Sequence, residues 1–251
     1  MIKLDAVANR EFLKDTIRQH VDFSTTDQAR GITPPALQKP VADDAARIDL
    51  PPPEQWSELG DVPLRRAIER RSSRRRFSDA PLSLAELAYL LWTTQGVRDQ
   101  RDRVTALRTV PSAGARHALE TYLAVFRVEG LESAVYRYLP FDNQLVEEFH
   151  PLDLPGRLTN AALGQSFVGQ AAATFIWTAI PYRMEWRYGP ASHKVIALDA
   201  GHVCQNLYLA CESIGCVTCA VAAYHQQEVD ALLQVDGVDE FAVYLAPVGR
   251  P

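Results

Sequence analysis

The sequence predicts an α+β fold, with a central mixed or antiparallel sheet flanked by helices and preceded by an extended N-terminal arm. Strand and helix patterns follow one another without the regular βαβα alternation of a doubly wound sheet. Residues 173–180 form a nearly continuous apolar run, which is typical of a central strand. Residues 192–213 have a helical pattern with few charges, which indicates a long helix buried on most sides. We therefore expect an arm over residues 1–60 and one compact domain over residues 61–251.

The predicted arm differs in composition from the rest of the chain. One short helix is expected at residues 11–21, and polar sequence follows with prolines at Pro34-Pro35, Pro40 and Pro51-Pro52-Pro53. Proline fixes φ and removes a backbone donor, so repeated prolines disfavour helices and inner strands. This segment is expected to be extended, either wrapping a neighbouring molecule or staying partly mobile.

The first half of the compact domain is predicted to contain two helices and two strands. A helix is expected over residues 61–71, because an aspartate and a proline at its start are typical of a first turn. Residues 83–86 have the pattern of a capping box, which opens a second helix that ends at Gly96. Aromatic and β-branched residues predict strands at 121–128 and 134–139.

The second half adds the central strand and the long buried helix between further elements. Residues 153–170 have a helical pattern, and the long helix is expected to stop at Gly215. Strands are expected at 216–221 and 241–246, separated by a short helix around residues 229–233.

Composition narrows the range of functions and locations. The chain of 251 residues carries a net charge of −5, which disfavours nucleic-acid binding. No apolar run approaches the roughly 20 residues that a membrane helix needs, and no secretory pattern follows Met1. The four cysteines (Cys204, Cys211, Cys216, Cys219) then indicate a reducing cytoplasm. Cys216 and Cys219 have the spacing of a zinc-binding or redox-active cysteine pair. We favour the interpretation that their side chains fill the core as small apolar groups, so no metal site is predicted.

A cluster of arginines after the first predicted helix is the most informative local feature. Arg71, Ser73 and Arg75 alternate along the chain, and in an extended segment such side chains share one face. Guanidinium groups and a hydroxyl on one face match the oxygens of a phosphate. A solvated basic turn is the alternative, and the cluster alone leaves both open. Fingerprint sequences of dinucleotide, nucleotide-triphosphate and serine-hydrolase sites are absent from the sequence.

Several ordered motifs resemble those of the nitroreductase-like flavoproteins, and more closely those of the SagB-type dehydrogenases. The best-known members of that subfamily are azoline oxidases of thiazole/oxazole-modified peptide pathways. The likeness runs from about residue 50 to the end of the sequence. The matching segments are Arg71-x-Ser73-x-Arg75-x-Phe77, Ser78-Asp79-x-Pro81-Leu82, Leu90-Leu91-Trp92-x-x-x-Gly96, Arg108-x-x-Pro111-Ser112-Ala113-Gly114-Ala115, Ala200-Gly201-His202-x-x-Gln205-Asn206-Leu207-x-Leu209 and Pro247-Val248-Gly249.

The resemblance implies FMN bound at the interface of an obligate homodimer. It implies that Arg71, Ser73 and Arg75 hold the FMN phosphate and ribityl chain. A basic residue after the last strand contacts the phosphate in many relatives, and only Arg250 is available for that role. The loop that approaches the isoalloxazine, from the other subunit, matches Pro111, Ser112, Ala113 and Gly114. The segment beside the flavin pyrimidine and N5 matches Val221, Ala222, Ala223 and Tyr224.

The sequence departs from the azoline oxidases just before the long helix. Those enzymes resemble one another in a Lys-Tyr pair that takes the proton as hydride leaves, and this chain has Arg187 and Tyr188 there. Arginine stays protonated, so Arg187 cannot act as the base, although it can bind a substrate carboxylate or stabilise reduced flavin. A plain surface guanidinium is the alternative for Arg187. Tyr188 is the remaining candidate for proton transfer.

The expected function is therefore that of an FMN-dependent oxidoreductase using ping-pong hydride transfer through flavin N5. NAD(P)H or another small-molecule redox partner is expected to exchange electrons with the flavin. As a SagB-type dehydrogenase, the protein would act on a small molecule or a peptide heterocycle, with the small molecule favoured because of Arg187. The alternative is a flavin-fold binding or scaffold partner of a peptide-modifying complex with little turnover.

Overall fold

A computed structural model describes residues 9–102 and 104–251 of the chain. The described part is an α+β domain, as predicted from the sequence. Its strands are β1 (Arg47–Asp49), β2 (Val97–Asp102), β3 (Thr105–Arg108), β4 (Leu119–Val125), β5 (Val135–Leu139), β6 (Gln144–Phe149), β7 (Ala173–Ala179), β8 (Val217–Thr218) and β9 (Phe241–Gly249). Its α-helices are α1 (Leu64–Arg70), α2 (Leu84–Gln95), α3 (Leu154–Ala161), α4 (Phe167–Gln170), α5 (Tyr182–Tyr188), α6 (His193–Ser213) and α7 (Gln226–Leu233).

One seven-stranded sheet organises the domain, in the order β1-β6-β5-β4-β7-β9-β8. Every neighbouring pair of these strands is antiparallel. The apolar run at 173–180 is β7 in the middle of the sheet, which confirms the predicted central strand. β2 and β3 form a separate hairpin, which the sequence did not predict.

Helices cover both faces of the sheet, and β7 contributes to both cores. Phe175 and Trp177 pack with residues of α2 and α6 on one face, while Ile176 packs with residues of α3 and α7 on the other. Successive side chains of a strand point to opposite faces, so a strand covered on both sides is apolar at every position. No helix of the described chain is long and apolar enough to cross a membrane.

The two best-marked helix ends agree with the sequence. Ser83 Oγ accepts a hydrogen bond from Glu86 N over 3.2 Å, and the Glu86 carboxylate accepts one from Ser83 N over 2.9 Å. This reciprocal pair is the predicted capping box, and Gly96 ends the helix. The long helix α6 ends at Ser213, and Gly215 follows it with φ +70°.

Three predicted elements differ from the structure. The helical pattern at 153–170 is split into α3 and α4 because Leu163 and Gly164 have positive φ. The strand expected at 216–221 is only the two residues of β8, with a further isolated bridge at Val221. The helix expected at 11–21 is wrong, since that segment forms two short 3-10 turns. Its apolar side chains are exposed, so no packed face stabilises a helix so short.

The proline-rich arm lies on its own chain, where buried donors from the domain bind its carbonyl oxygens. Arg108 donates to Leu37 O over 2.7 Å, and Arg137 donates to the Lys39 and Pro40 oxygens over 3.1 Å each. Further along the arm, β1 adds the outermost strand of the sheet by pairing with β6. Residues 37–40 of the arm form no helix or strand, and these arginines provide donors for their backbone carbonyls.

Candidate functional site

The segment of residues 71–75, here called the arginine segment, runs beside the last strand of the sheet. Ser73 forms a parallel bridge with Thr218 of β8, and Arg74 N donates to Thr218 O over 3.0 Å. The pairing makes the backbone extended, so the side chains of Arg71, Ser73 and Arg75 alternate with those of their neighbours. This is the geometry that the sequence predicted for the segment.

Tyr208 of α6 holds the arginine segment in place. Its ring centroid lies 5.2 Å from the guanidinium carbon of Arg71, and its hydroxyl lies 2.8 Å from Ser73 Oγ. The same hydroxyl accepts a hydrogen bond from Ala220 N over 2.8 Å. Tyr208 therefore joins the arginine segment to the chain that follows β8. No local sequence pattern marked Tyr208 as a site residue, although a tyrosine on a buried helix needs a partner for its hydroxyl.

The charges of the arginine segment are left available for an anion. Among the described residues, Arg71 and Arg75 form no ion pair, and both lie near aromatic rings. Arg70, in contrast, lies 3.8 Å from the Glu212 carboxylate. A guanidinium held by an aromatic face keeps its N–H donors free, so these residues fit the phosphate of a cofactor such as FMN.

Arg250, in contrast, is not available to bind an anion. One of its terminal nitrogens donates to Ile214 O over 2.8 Å, and the other pairs with the Glu86 carboxylate. Its charge is thus already matched within the chain, where it joins the end of β9 to the start of α2. The geometry argues against the predicted phosphate contact, and Arg250 is left out of the site proposed below.

Small residues after β8 form the wall of an apolar groove. Val221 exchanges hydrogen bonds of 2.8 and 3.0 Å with Leu245, and Ala222 and Ala223 after it are exposed. Ala222 borders a groove of about 590 Å³ whose other walls include Ala200 and Gly201 of α6. The small side chains of this wall let a flat ring approach the protein backbone there, while larger side chains such as Phe12, Phe241 and Tyr244 line the rest of the groove.

The loop of residues 111–114 lies on the opposite flank of α6. Ser112 lines a small cavity together with the buried Asp199, and Ser112 Oγ accepts a hydrogen bond from His117 N over 2.9 Å. Burial raises the pKa of Asp199, and the nearby Ser112 hydroxyl opposes that rise. Asp199 and Gly201 are two positions apart, or about 200° around a helix, so the loop and the groove contact opposite sides of α6.

Gly114 brings this loop against the two predicted catalytic residues. Its φ is +59°, and a Cβ built on it would lie 2.6 Å from Tyr188 Oη and 3.0 Å from Arg187 Nε. Only glycine fits both the backbone conformation and the close contact. The predicted site residues therefore fall into two groups in one chain. Arg71, Ser73, Arg75, Ala222 and Ala223 form one group, and the loop with Arg187 and Tyr188, here called the loop cluster, forms the other.

The cysteines belong to the core of the domain. Burial raises the pKa values of Cys204 and Cys216 to about 12, and it also raises that of Cys211. Thiols with such pKa values stay protonated at neutral pH and are poor nucleophiles and metal ligands. All four cysteines are buried and free, which supports their interpretation as apolar filling.

Comparison with known proteins identifies the family. A profile of the nitroreductase family matches residues 67–250. The "Putative nitroreductase MJ1384" of Methanocaldococcus jannaschii is 33% identical over 207 residues, which span 82% of this chain and 98% of that protein. The crystal structure of a "putative nitroreductase" from Ralstonia eutropha aligns with a TM-score of 0.68 and 26% identity, covering 88% of this chain and 95% of its own.

Two more distant similarities involve peptide-processing proteins. The trifolitoxin-processing protein TfxB of Rhizobium leguminosarum is 29% identical over 147 residues, which cover 57% of this chain but only 39% of TfxB. A chain of the Escherichia coli microcin synthetase complex McbBCD aligns over 99% of this chain and 98% of its own, with a TM-score of 0.60. Its identity of 18% supports the fold alone. The match over residues 67–250 and the similarity to MJ1384 show that this chain belongs to the nitroreductase family.

Proposed function

We propose that the protein is an FMN-dependent oxidoreductase working by ping-pong hydride transfer. Members of the nitroreductase family typically bind a flavin. The observation that carries the proposal is the arginine segment, where the guanidiniums of Arg71 and Arg75 face no carboxylate of the described chain. Such a pair of charges beside an apolar groove suits a cofactor with a phosphate at one end and a flat ring at the other.

Each residue of the arginine segment has a defined task in this proposal. Arg71 and Arg75 bind the phosphate, and Ser73, fixed by Tyr208, adds a hydroxyl. Ala222 and Ala223 present backbone groups to the ring. When bound, FMN accepts a hydride at N5 from one substrate and delivers it to a second. No nucleophilic side chain is needed, which agrees with the absence of a hydrolase motif.

A homodimer completes the site in this proposal, because one chain keeps its two groups apart. The side of α6 between them is exposed to solvent at Ala197, Leu198, Gly201, His202 and Gln205. Leu198 is 53% exposed in the middle of an otherwise well-covered helix. Two chains packed along this side would bring the loop cluster of one subunit to the arginine segment and groove of the other.

The loop cluster is assigned the substrate side of the reaction. Tyr188 is the one proton-transferring side chain of the pair, since the guanidinium of Arg187 stays charged. The similarity to TfxB is compatible with a SagB-type role on peptide heterocycles. We favour a small-molecule substrate, because Arg187 stays protonated and cannot act as the base that azoline oxidation would need.

FMN binding by purified protein tests the proposal. We expect stoichiometric FMN, bleached by NAD(P)H and reoxidised by an added nitro compound, quinone or oxygen. Arg71→Ala should weaken FMN binding about tenfold or more, as expected on losing a charge-assisted contact of roughly 1.5–3 kcal/mol. Arg66→Ala is the matched control, because Arg66 is an exposed arginine of α1 outside the segment.

Two results would contradict the proposal at different points. Equal FMN content in wild type, Arg71→Ala and Arg66→Ala would refute the phosphate assignment. Bound FMN that no donor reduces would instead favour the alternative of a flavin-fold binding partner with little turnover.

A further inference from the structure

The N-terminal arm and the loop cluster border a second pocket, which is open to solvent and has no role in the proposed reaction above. Its volume is about 470 Å³, and we call it the arm pocket. One wall comes from the arm and the other from the end of α5. The lining residues are Arg18, Phe23, Thr26, Gln28, Ala29, Arg187 and Tyr188.

We propose that the arm pocket binds a substrate through a carboxylate joined to an aromatic ring, with Arg187 as the carboxylate ligand. This inference rests on the proposed function, since it assigns the substrate class of that same site. It also gives the arm a role in specificity.

The two guanidinium groups that line the arm pocket suit a ligand with a single negative charge. The guanidinium carbons of Arg187 and Arg18 lie 5.5 and 6.0 Å from the centroid of the same Tyr188 ring. Arg18 is paired with Asp15 over 2.9 Å, whereas Arg187 has no hydrogen bond or ion pair within residues 9–102 and 104–251. One unmatched positive charge suits a carboxylate better than a dianionic phosphate.

A third arginine, Arg116, is repelled by the charge of Arg187, which makes an anion in the pocket more favourable. Arg116 stacks 4.9 Å from the centroid of the Trp186 ring and donates to three backbone carbonyls, which are neutral acceptors. Burial and then the charge of Arg187 lower the pKa of Arg116. An anion at Arg187 would relieve this repulsion between like charges.

The aromatic part of the assignment comes from the remaining walls. Phe23 and Tyr188 line the pocket with their aromatic rings, next to the smaller side chains of Thr26 and Ala29. Aromatic pairs gain stability when their rings stack offset or edge to face. Tyr188 Oη also abuts Gly114, so a ring held in the pocket lies beside the loop that we assign to the flavin.

Ligand-observed NMR titration of the full-length protein tests this, with 4-nitrobenzoate and the neutral 4-nitrobenzamide as probes. We expect the acid to bind at least about tenfold more tightly than the amide, as one charge-assisted contact provides. Arg187→Gln should abolish that preference, and Arg187→Lys should restore part of it. Arg157→Gln is the control, because Arg157 is an exposed arginine on α3. Acetylphenylalanine and its amide test a peptide C-terminus as the source of the carboxylate.

The results of these experiments test this inference and the proposed function independently of each other. Equal binding of acid and amide, or a preference that survives Arg187→Gln, would overturn the inference even if FMN binds and turns over. A carboxylate preference lost with Arg187 would uphold the pocket even if the protein bound no FMN, which would refute the proposed function alone. With FMN bound, Arg187→Gln should raise the KM for 4-nitrobenzoate more than it lowers kcat, and raise it more than the KM for the amide.

Discussion

His117 is a buried histidine beneath the loop of residues 111–114. Its backbone N–H donates to Ser112 Oγ over 2.9 Å, and its Nε2 lies 3.2 Å from Ala106 O, which can only accept. Nε2 therefore carries a proton. Burial first, and then the charge of Arg108, lowers the pKa of His117 to about 3.

The depressed pKa of His117 predicts a loss of stability in mild acid. Between about pH 3 and 6.5 the unfolded chain binds a proton at this residue that the folded chain does not. The free energy of unfolding should thus fall as pH drops below 6.5, by about 1.4 kcal/mol per unit, or about 2 kcal/mol at pH 5. Urea unfolding at pH 7 and pH 5 measures this difference.

His117→Gln should remove that part of the pH dependence, because glutamine can still donate to Ala106 O and does not titrate. His225→Gln, at an exposed position before α7, should leave the dependence as in wild type. Identical pH dependence in all three proteins would show that His117 is not the group responsible.

Single residues also show how far the sequence predicts the site. The alternation of Arg71, Ser73 and Arg75 was visible because an extended backbone imposes it locally. Tyr208 was not, since its contact with Ser73 joins positions 135 apart in the sequence. Arg250 was assigned from its place after the last strand, and its pairing with Glu86 depends on how β9 meets α2. Contacts set by tertiary packing leave no local pattern in the sequence.

At the scale of elements, the N-terminal arm is the least predictable part of the molecule. Its prolines correctly indicated a segment without long helices. They could not indicate that the arm is fixed, because its partners are buried arginines of the domain. Arg108 and Arg137 are each at least 96% buried and donate to carbonyls of the arm. A buried guanidinium without acceptors is costly, so the arm and the domain stabilise each other.

Two truncations of the arm should therefore behave differently. Removing residues 1–41 takes away the carbonyls of Leu37, Lys39 and Pro40, leaving buried donors of Arg108 and Arg137 unsatisfied. We expect a loss of at least about 4 kcal/mol, a large share of the stability of an ordinary domain. Thermal unfolding followed by circular dichroism measures the change.

Removing residues 1–27 is the matched comparison, because it keeps every one of those carbonyls. We expect this shorter protein to fold with a Tm close to that of the full chain. It should nevertheless bind both 4-nitrobenzoate and the amide more weakly, since Arg18, Phe23 and Thr26 of the arm pocket are gone, while Arg187 preserves the preference for the acid. Similar Tm values for both truncations would show that the buried arginines do not depend on the arm.

At the scale of the whole molecule, α6 separates the two groups of site residues. The arginine segment contacts it through Tyr208, and the loop of residues 111–114 contacts it through Asp199. The two contact points are nine residues apart, or about 13.5 Å along the helix. The sheet order and the two helical layers fix this separation, so only a second chain can close it in the proposed site.

The proposed homodimer predicts that a charge on the exposed side of α6 abolishes both assembly and cofactor binding. Leu198→Arg would place a guanidinium in the middle of the contact, where burial without a partner costs several kcal/mol. We expect sedimentation to show a monomer, and FMN content to fall together with the dimer fraction. Leu152→Arg is the control, because Leu152 is 90% exposed outside α6 and should tolerate the same change.

The combined loss of the dimer and of bound FMN distinguishes a site shared between two subunits from a dimer in which each chain binds FMN by itself. If Leu198→Arg gave a monomer that still held FMN at wild-type affinity, each chain would carry a complete site, and the assignment of the loop cluster to the other subunit would be wrong. If the variant stayed dimeric, the contact would lie on another surface. A monomer without FMN whose circular dichroism shows the same folded structure as Leu152→Arg, at a Tm lowered by the loss of dimer and cofactor, is the result that a shared site predicts.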